Sequence, residues 1–577
     1  MASRVTTFIV VSIVAATLIA GIIARAQRDD EGPVDLIVYN ARVYTADGGG
    51  GFEEAVAVRG NTIFRVGSNR EIKRLVQPHT VVLDAHGGAV LPGFNDAHVH
   101  FASGSLGLAE INLLDATTAD EIAASVRRFA EANRDRAWVT GRGWYYTAFP
   151  GGLPTRQMLD AIVPDRPAYL TAYDGHSGWA NTAALKLAGI TSRTASPKNG
   201  VVVKDASGEP TGVLKESAMG LMRAVLPKPD RAGRLDAIRA GIREAHRLGV
   251  TSVQNASGTP EEIDLWDELR RSDELKIRMY HAVSAGPGTT AADLDALEEV
   301  RRQYPDDPLL KAGAVKLMVD GVIESHTAAM LAPYENRPTK GLPNYTVQEL
   351  NGLVASLDRR GWQIWIHAIG DAGIRMALDA FYEATEANEP PARGRRHRIE
   401  HIESIDPADV PRFADLGVIA SMQPFHANPD PSMGTVWSAN IGPERAARGW
   451  LWRAITKAGG RVAFGSDWPV VTLDPRAGLQ VAVNRLSPAG EPAGGWIPSE
   501  RLPLTAAIDG YTRDAAWASF DDQRKGTLAK GMLADIVILS ADIFEAPPER
   551  LLDARVEVTI FDGKVVYDRP DAATTAF

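Results

Sequence analysis

Cysteine is absent from all 577 residues. That excludes disulfides, thiolate metal sites, cysteine nucleophiles and a lipid-anchored lipoprotein, and leaves His, Asp, Glu or a modified Lys to hold any metal. An excess of positive charge is missing too. The 62 Lys and Arg against 72 Asp and Glu give a formal net charge of −10, so a nucleic-acid partner is not expected. Internal repeats and low-complexity tracts are also lacking. What remains is 45% hydrophobic and 23% charged, ordinary for a globular enzyme. The length exceeds one hydrophobic core, so a large catalytic domain with at least one satellite is expected.

Residues 1–26 differ from the rest. Arg4 precedes an almost wholly apolar stretch from Val5 to Ala24, and Ala24-Arg25-Ala26 has the small-x-small form of a processing site. This reads as a signal peptide, with an uncleaved membrane anchor as the alternative because the stretch approaches spanning length. Either way the catalytic part is expected to be exported, periplasmic or secreted, touching a membrane only through this segment.

Short strand-like runs separated by Gly- and Asn-rich turns fill residues 34–92, and similar runs with an Asp562-Gly563 turn fill 523–577. One small β-sandwich built from both chain ends is expected. Between them, residues 93–522 alternate buried-strand candidates at 93–100, 251–256, 278–282, 314–320, 363–369, 398–402, 418–423 and 462–467 with helical stretches such as 236–248 and 347–359. Eight such alternations predict an α/β fold, a (β/α)8 TIM-type barrel. The gap after the first strand is too long for one helix, so an inserted subdomain is expected over about residues 130–215.

Catalytic groups in such barrels sit at the C-terminal strand ends. His98 and His100 end the first strand on one face. Lys316 lies in the fourth, His367 in the fifth, His401 in the sixth, and Asp467 ends the eighth. Singly, each histidine could be a hydrogen-bonded core residue and Asp467 a turn. Lys316 is harder to place that way, because its apolar neighbours would bury an ammonium. Five strands supplying such groups together point to a metal site.

The segments Pro92-Gly93-Phe94-Asn95-Asp96-Ala97-His98-Val99-His100, Ile366-His367-Ala368, Glu400-His401, Gly465-Ser466-Asp467-Trp468-Pro469 and the tail around Ala534-Asp535-Ile536 resemble the amidohydrolase superfamily. Asp174-Gly175-His176 with Asn181, and Gly212-Val213-Leu214-Lys215-Glu216, are similar to its amidohydrolase-3 branch, which includes N-substituted formamide deformylases. The resemblance implies one or two zinc ions, with His98, His100 and Asp467 on one and His367 and His401 on the other. It also implies a bridging N6-carboxylysine at Lys316. A metal-activated hydroxide would cleave an amide, formamide or carbamate. Asp467 would take and return the proton, and His176 would assist at the oxyanion. Deaminase branches carry a Glu three residues after the fifth-strand histidine; here that residue is Gly370.

Aromatic residues make up only 7% of the chain, so their clustering at Trp144, Tyr146 and Trp468 suggests an apolar or aromatic substrate group. Asp174, His176 and His426 complete the expected substrate contacts of a small-molecule enzyme, and a homo-oligomer is left open. Two other readings share these residues: a lactonase or esterase, and an exported binding protein without turnover, which would have lost ligands. Protein recovered from the exported fraction is expected to begin at Gln27; an intact mass retaining Met1 would instead mean an anchor.

Overall fold

The computed structural model describes residues 33–173, 175, 177–197, 200–430 and 433–570. The leader at 1–26, Asp174 and His176 lie outside the described residues. No helix among the described residues is long and apolar enough to cross a membrane.

The centre is an eight-stranded parallel sheet. Its strands are Phe94–Val99, Val250–Gly258, Arg278–Ser284, Leu310–Met318, Gln363–Ala368, Arg398–His401, Ile419–Met422 and Arg461–Phe464. Consecutive strands pair in order, as in Ser252 with Arg278, Ala314 with Gln363 and Ile419 with Arg461. Nearly every strand residue is buried, because the ring is filled inside and covered outside by helices such as Arg231–Arg247, Val347–Arg359 and Asp371–Ala387. Those helices start where the sequence signals a cap: the Asp230 carboxylate accepts from Gly233, and Thr346 forms a capping box with Glu349.

Residues from both chain ends build two further sheets. One pairs Leu36–Tyr39 with Ala55–Arg59 and Val81–Asp84; the other runs from Phe52–Glu53 through Ala89–Pro92 to Ile536–Leu539 and Val556–Phe561. They share a core of Val38, Val56, Ile63, Val90, Ile538 and Ile560. Another six-stranded sheet follows the first barrel strand, with Ile111–Asn112 at one edge and Gly200–Lys204 at the other. It begins earlier than residue 130 because the two-residue edge strand is too short to leave a periodic signal.

The terminal sheets are fastened to the barrel by charge. Arg278, at the start of the third barrel strand, donates to both Asp535 oxygens at 2.6 and 2.9 Å and to Asp562 at 2.9 Å. Arg278 and Asp535 are both nearly inaccessible. Removing the acid would leave the buried guanidinium only the partly exposed Asp562 as an acid partner, so Asp535→Ala is expected to cost about 3 kcal/mol. The shift in urea midpoint measures this, and an unshifted midpoint would show that the latch carries no stability.

Candidate metal centre

The seam of the barrel and the polar cluster are one structure. The eighth strand ends at Phe464, but the chain beyond it turns back onto the first strand. Asp467 N donates to His98 O and His100 N to Trp468 O, both at 2.7 Å, and Val99 bridges Trp468. Asp467 adopts φ 61°, a left-handed conformation that favours glycine and persists in other residues only where the surroundings hold it. Close approach explains Gly465, where a Cβ would lie 2.4 Å from His98 N. The same backbone pairing therefore closes the ring and aims the Asp467 carboxylate at the first-strand histidines: 3.1 Å from His100 Nε2 and 3.6 Å from His98 Nε2.

His98 is held from behind. Its Nδ1 meets Glu400 Oε2 at 2.5 Å, fully buried, which fixes the ring and turns Nε2 towards the cluster. Glu400 is compensated by Arg398 two residues earlier on the same strand, at 2.5 Å, and Arg398 also donates to Gln254 and to Ala97 O and lies over the Trp365 ring. Alternation would send His401 to the opposite face from Glu400. Its φ of 77° breaks the pleat, so both adjacent side chains reach the site.

The remaining groups converge. The His401 ring lies 4.9 Å from that of His98 and 4.5 Å from that of His367. His367 Nε2 faces Gly321 O at 3.2 Å, beside Asp320, whose carboxylate accepts the amides of Ala329, Ile369 and Gly370. Lys316 Nζ lies 3.4 Å from His98 Nε2 and has no carboxylate within ion-pair distance among the described residues. Burial pushes the Lys316 amine down to about 8, His98 to about 4 and His367 to about 3. Burial opposes the charge on Asp467, but the hydrogen bond with His100 and the neighbouring imidazoles hold it well below the usual carboxylate range. The result is neutral imidazoles around an anionic carboxylate, the state that binds a metal.

Donor atoms of His98, His401 and Asp467 lie within 4.8 Å of one another. His401 Nδ1 is buried and lacks a hydrogen-bond partner. Buried polar atoms are almost always partnered, so a divalent ion fits this donor set.

The other expected residues divide. His426 packs its ring parallel to His401, centroids 6.0 Å apart, with Nε2 3.7 Å from Asp467 Oδ2. Trp468 is buried edge-on to Phe101 over Gly104, where a Cβ would strike its ring. The Tyr146 hydroxyl bonds to Ser177. Trp144 is not a substrate contact: it is fully buried in the insertion's own core, its indole N–H donating to Leu170 O. Sequence reasoning missed the supporting contacts of Glu400, Arg398 and Asp320. The one signal available was Arg398 and Glu400 at i, i+2 on a buried strand, which demands a mutual pair.

An eight-stranded parallel barrel with buried metal-competent groups at its C-terminal rim defines a barrel metallohydrolase. The chain belongs to the amidohydrolase family, whose model matches residues 81–567, and it is a hydrolase of carbon–nitrogen bonds. It is 33% identical to protein LONG AFTER FAR-RED 3 of Arabidopsis thaliana, over 92% of this chain and 91% of that one. It is 28% identical to N-substituted formamide deformylase of Arthrobacter pascens, over 93% and 98%. In fold it is similar to an uncharacterized metal-dependent hydrolase from Pyrococcus horikoshii OT3, with a TM-score of 0.70 and 24% identity over 89% of this chain and 99% of that one.

Glu400→Gln keeps the side chain's size but frees His98 to turn over. Losing such a support is expected to weaken metal affinity by about 10- to 100-fold, read by competition with a chromogenic chelator. Unchanged affinity would show that His98 needs no backing.

Proposed function

We propose that the chain is an exported amidohydrolase that cleaves a small amide, formamide or carbamate bearing an apolar or aromatic group, with zinc as its metal. The observation that carries the reading is the buried set of His98, His401 and Asp467, with His401 Nδ1 left without a hydrogen-bond partner. Imidazole and carboxylate donors suit zinc. The similarity to an N-substituted formamide deformylase supports the bond type, and the leader at 1–26 supports export.

His98, His100 and Asp467 would hold one ion, and His367 and His401 a second. Lys316, 3.4 Å from His98 Nε2 and without an acid partner among the described residues, would join the donor set after its amine adds to CO2 and releases a proton, giving a carbamate. Metal ions held there would acidify water and polarise a carbonyl. Asp467 accepts the nucleophile's proton as the carbonyl carbon is attacked, then returns it to the departing nitrogen, so the amine leaves neutral. Glu400 keeps His98 in one tautomer throughout.

The test pairs a panel of aryl amides, formamides and esters with Asp467→Asn. The amide keeps the shape and one coordinating oxygen but cannot accept a proton. Metal content near wild type with kcat lower by about 10²-fold or more is expected. Bicarbonate should speed reconstitution of metal-free protein if Lys316 is carboxylated. Full activity after exhaustive chelation, or turnover of esters alone, would overturn the reading.

A further inference from the structure

His100 occupies a position whose usual task its side chain does not perform. It directly precedes the short helix Phe101–Gly107, where a Ser, Thr, Asp or Asn normally turns back to accept one of the first helical amides. The His100 ring makes no such bond, because it is committed to Asp467 at 3.1 Å. Support for the turn comes from another strand instead. Asn255, in register with Val99 on the second barrel strand, accepts the Phe101 N–H through Oδ1 at 2.8 Å. On the other side, the His100 N–H is held by Trp468 O, and the His100 carbonyl accepts from Gly104 N at 2.9 Å and Ser103 Oγ at 3.0 Å. The backbone around His100 is thus pinned from both neighbours of the first strand.

Asn255 is itself buried and held in one orientation. A backbone N–H can only donate, so Oδ1 must face Phe101 and Nδ2 must face away from it. Nδ2 there meets His281 Nδ1 at 3.3 Å and Glu262 Oε2 at 3.5 Å. His281 Nδ1 therefore accepts, and its Nε2 donates to Thr259 O at 3.2 Å. The ring fits only because residue 258 is glycine, where a Cβ would lie 2.0 Å from His281 Cε1. Donors and acceptors match along the whole row from Thr259 to Phe101. We propose that Asn255 is a positioning residue for His100: it secures the turn that His100 leaves uncapped, so that the imidazole stays free for a metal shared with Asp467. His281 fixes the Asn255 amide in the orientation this requires. The inference rests on the metal site of the amidohydrolase reading above and adds the residues that hold one of its ligands in place.

The experiment is a double-mutant cycle on zinc affinity, read by competition with a chromogenic chelator. Asn255→Ala is expected to weaken zinc binding by about 10- to 100-fold, and His100→Ala to weaken it at least as much. Because Asn255 acts through His100, adding Asn255→Ala to His100→Ala should cost less than about twofold more. The His281 variants supply a rescue. His281→Leu leaves Asn255 Nδ2 without its ring acceptor and should lose part of the affinity, whereas the amide of His281→Gln accepts at one end and donates at the other and should restore it. Cobalt(II) absorption, which reports coordination geometry, should change in Asn255→Ala and His281→Leu and match wild type in His281→Gln. Losses that add in the cycle, or a wild-type affinity and cobalt spectrum in Asn255→Ala, would overturn the proposal. Should Asn255→Ala not fold, a wild-type affinity in His281→Leu would overturn it equally. If the wild type turns over nothing in the amide panel but the cycle is non-additive, the amidohydrolase reading fails while the role of Asn255 stands. An additive cycle in a protein that cleaves amides sinks this proposal alone.

Discussion

Everything at the rim depends on one buried chain of charge: Arg398 to Glu400 to His98. A carboxylate in the middle of a barrel is costly unless compensated in place. Arg398 does that, on the same strand, while also tying down Gln254 and the carbonyl of Ala97 on the second and first strands, across the barrel interior. Because Glu400 stays anionic, it can demand the proton of His98 Nδ1, and His98 must then offer its other nitrogen to the site. One ion pair thereby sets a tautomer and a ring plane.

The seam adds a second constraint. In many barrels the first and last strands close through regular pairing; here the residues that close the ring are Asp467 and Trp468, past the end of the eighth strand. Fold closure and placement of the carboxylate are a single event, which is why the strained φ of Asp467 can persist. Leaving that conformation would cost two backbone hydrogen bonds as well as the carboxylate's contact with His100.

Periodicity explains which parts were legible. The barrel strands are buried on both faces, so they read as apolar runs and their order followed from alternation with helices. The windows 251–256 and 314–320 fall on strands observed at Val250–Gly258 and Leu310–Met318. What periodicity cannot show is a residue that breaks it. His401 and Asp467 reach the cluster through positive φ, and His100 lies just beyond the strand assigned to it. Their types and neighbours marked them, whereas their geometry was invisible. Trp144 failed for the opposite reason: an aromatic in an insertion looks the same in sequence whether it lines a mouth or fills that insertion's own core, and the choice depends on long-range packing.

The two ends of the barrel make opposite uses of buried charge. At the N-terminal ends of the strands two buried cations are matched: Arg278 with Asp535 and Asp562, and Lys311 with Asp521 at 2.6 Å and with Ser519 O. Such pairs are complete without any ligand, and they bind the terminal segments to the ring. At the C-terminal ends the pairing is deliberately short. His401 Nδ1 and His426 Nε2 are buried without hydrogen-bond partners, each a loss of about 1–3 kcal/mol if left so. A cluster of such losses in one place is sustained only where something else completes it. The unmatched atoms thus fit a site that a metal would complete, while the matched pairs at the far end hold the terminal segments to the ring.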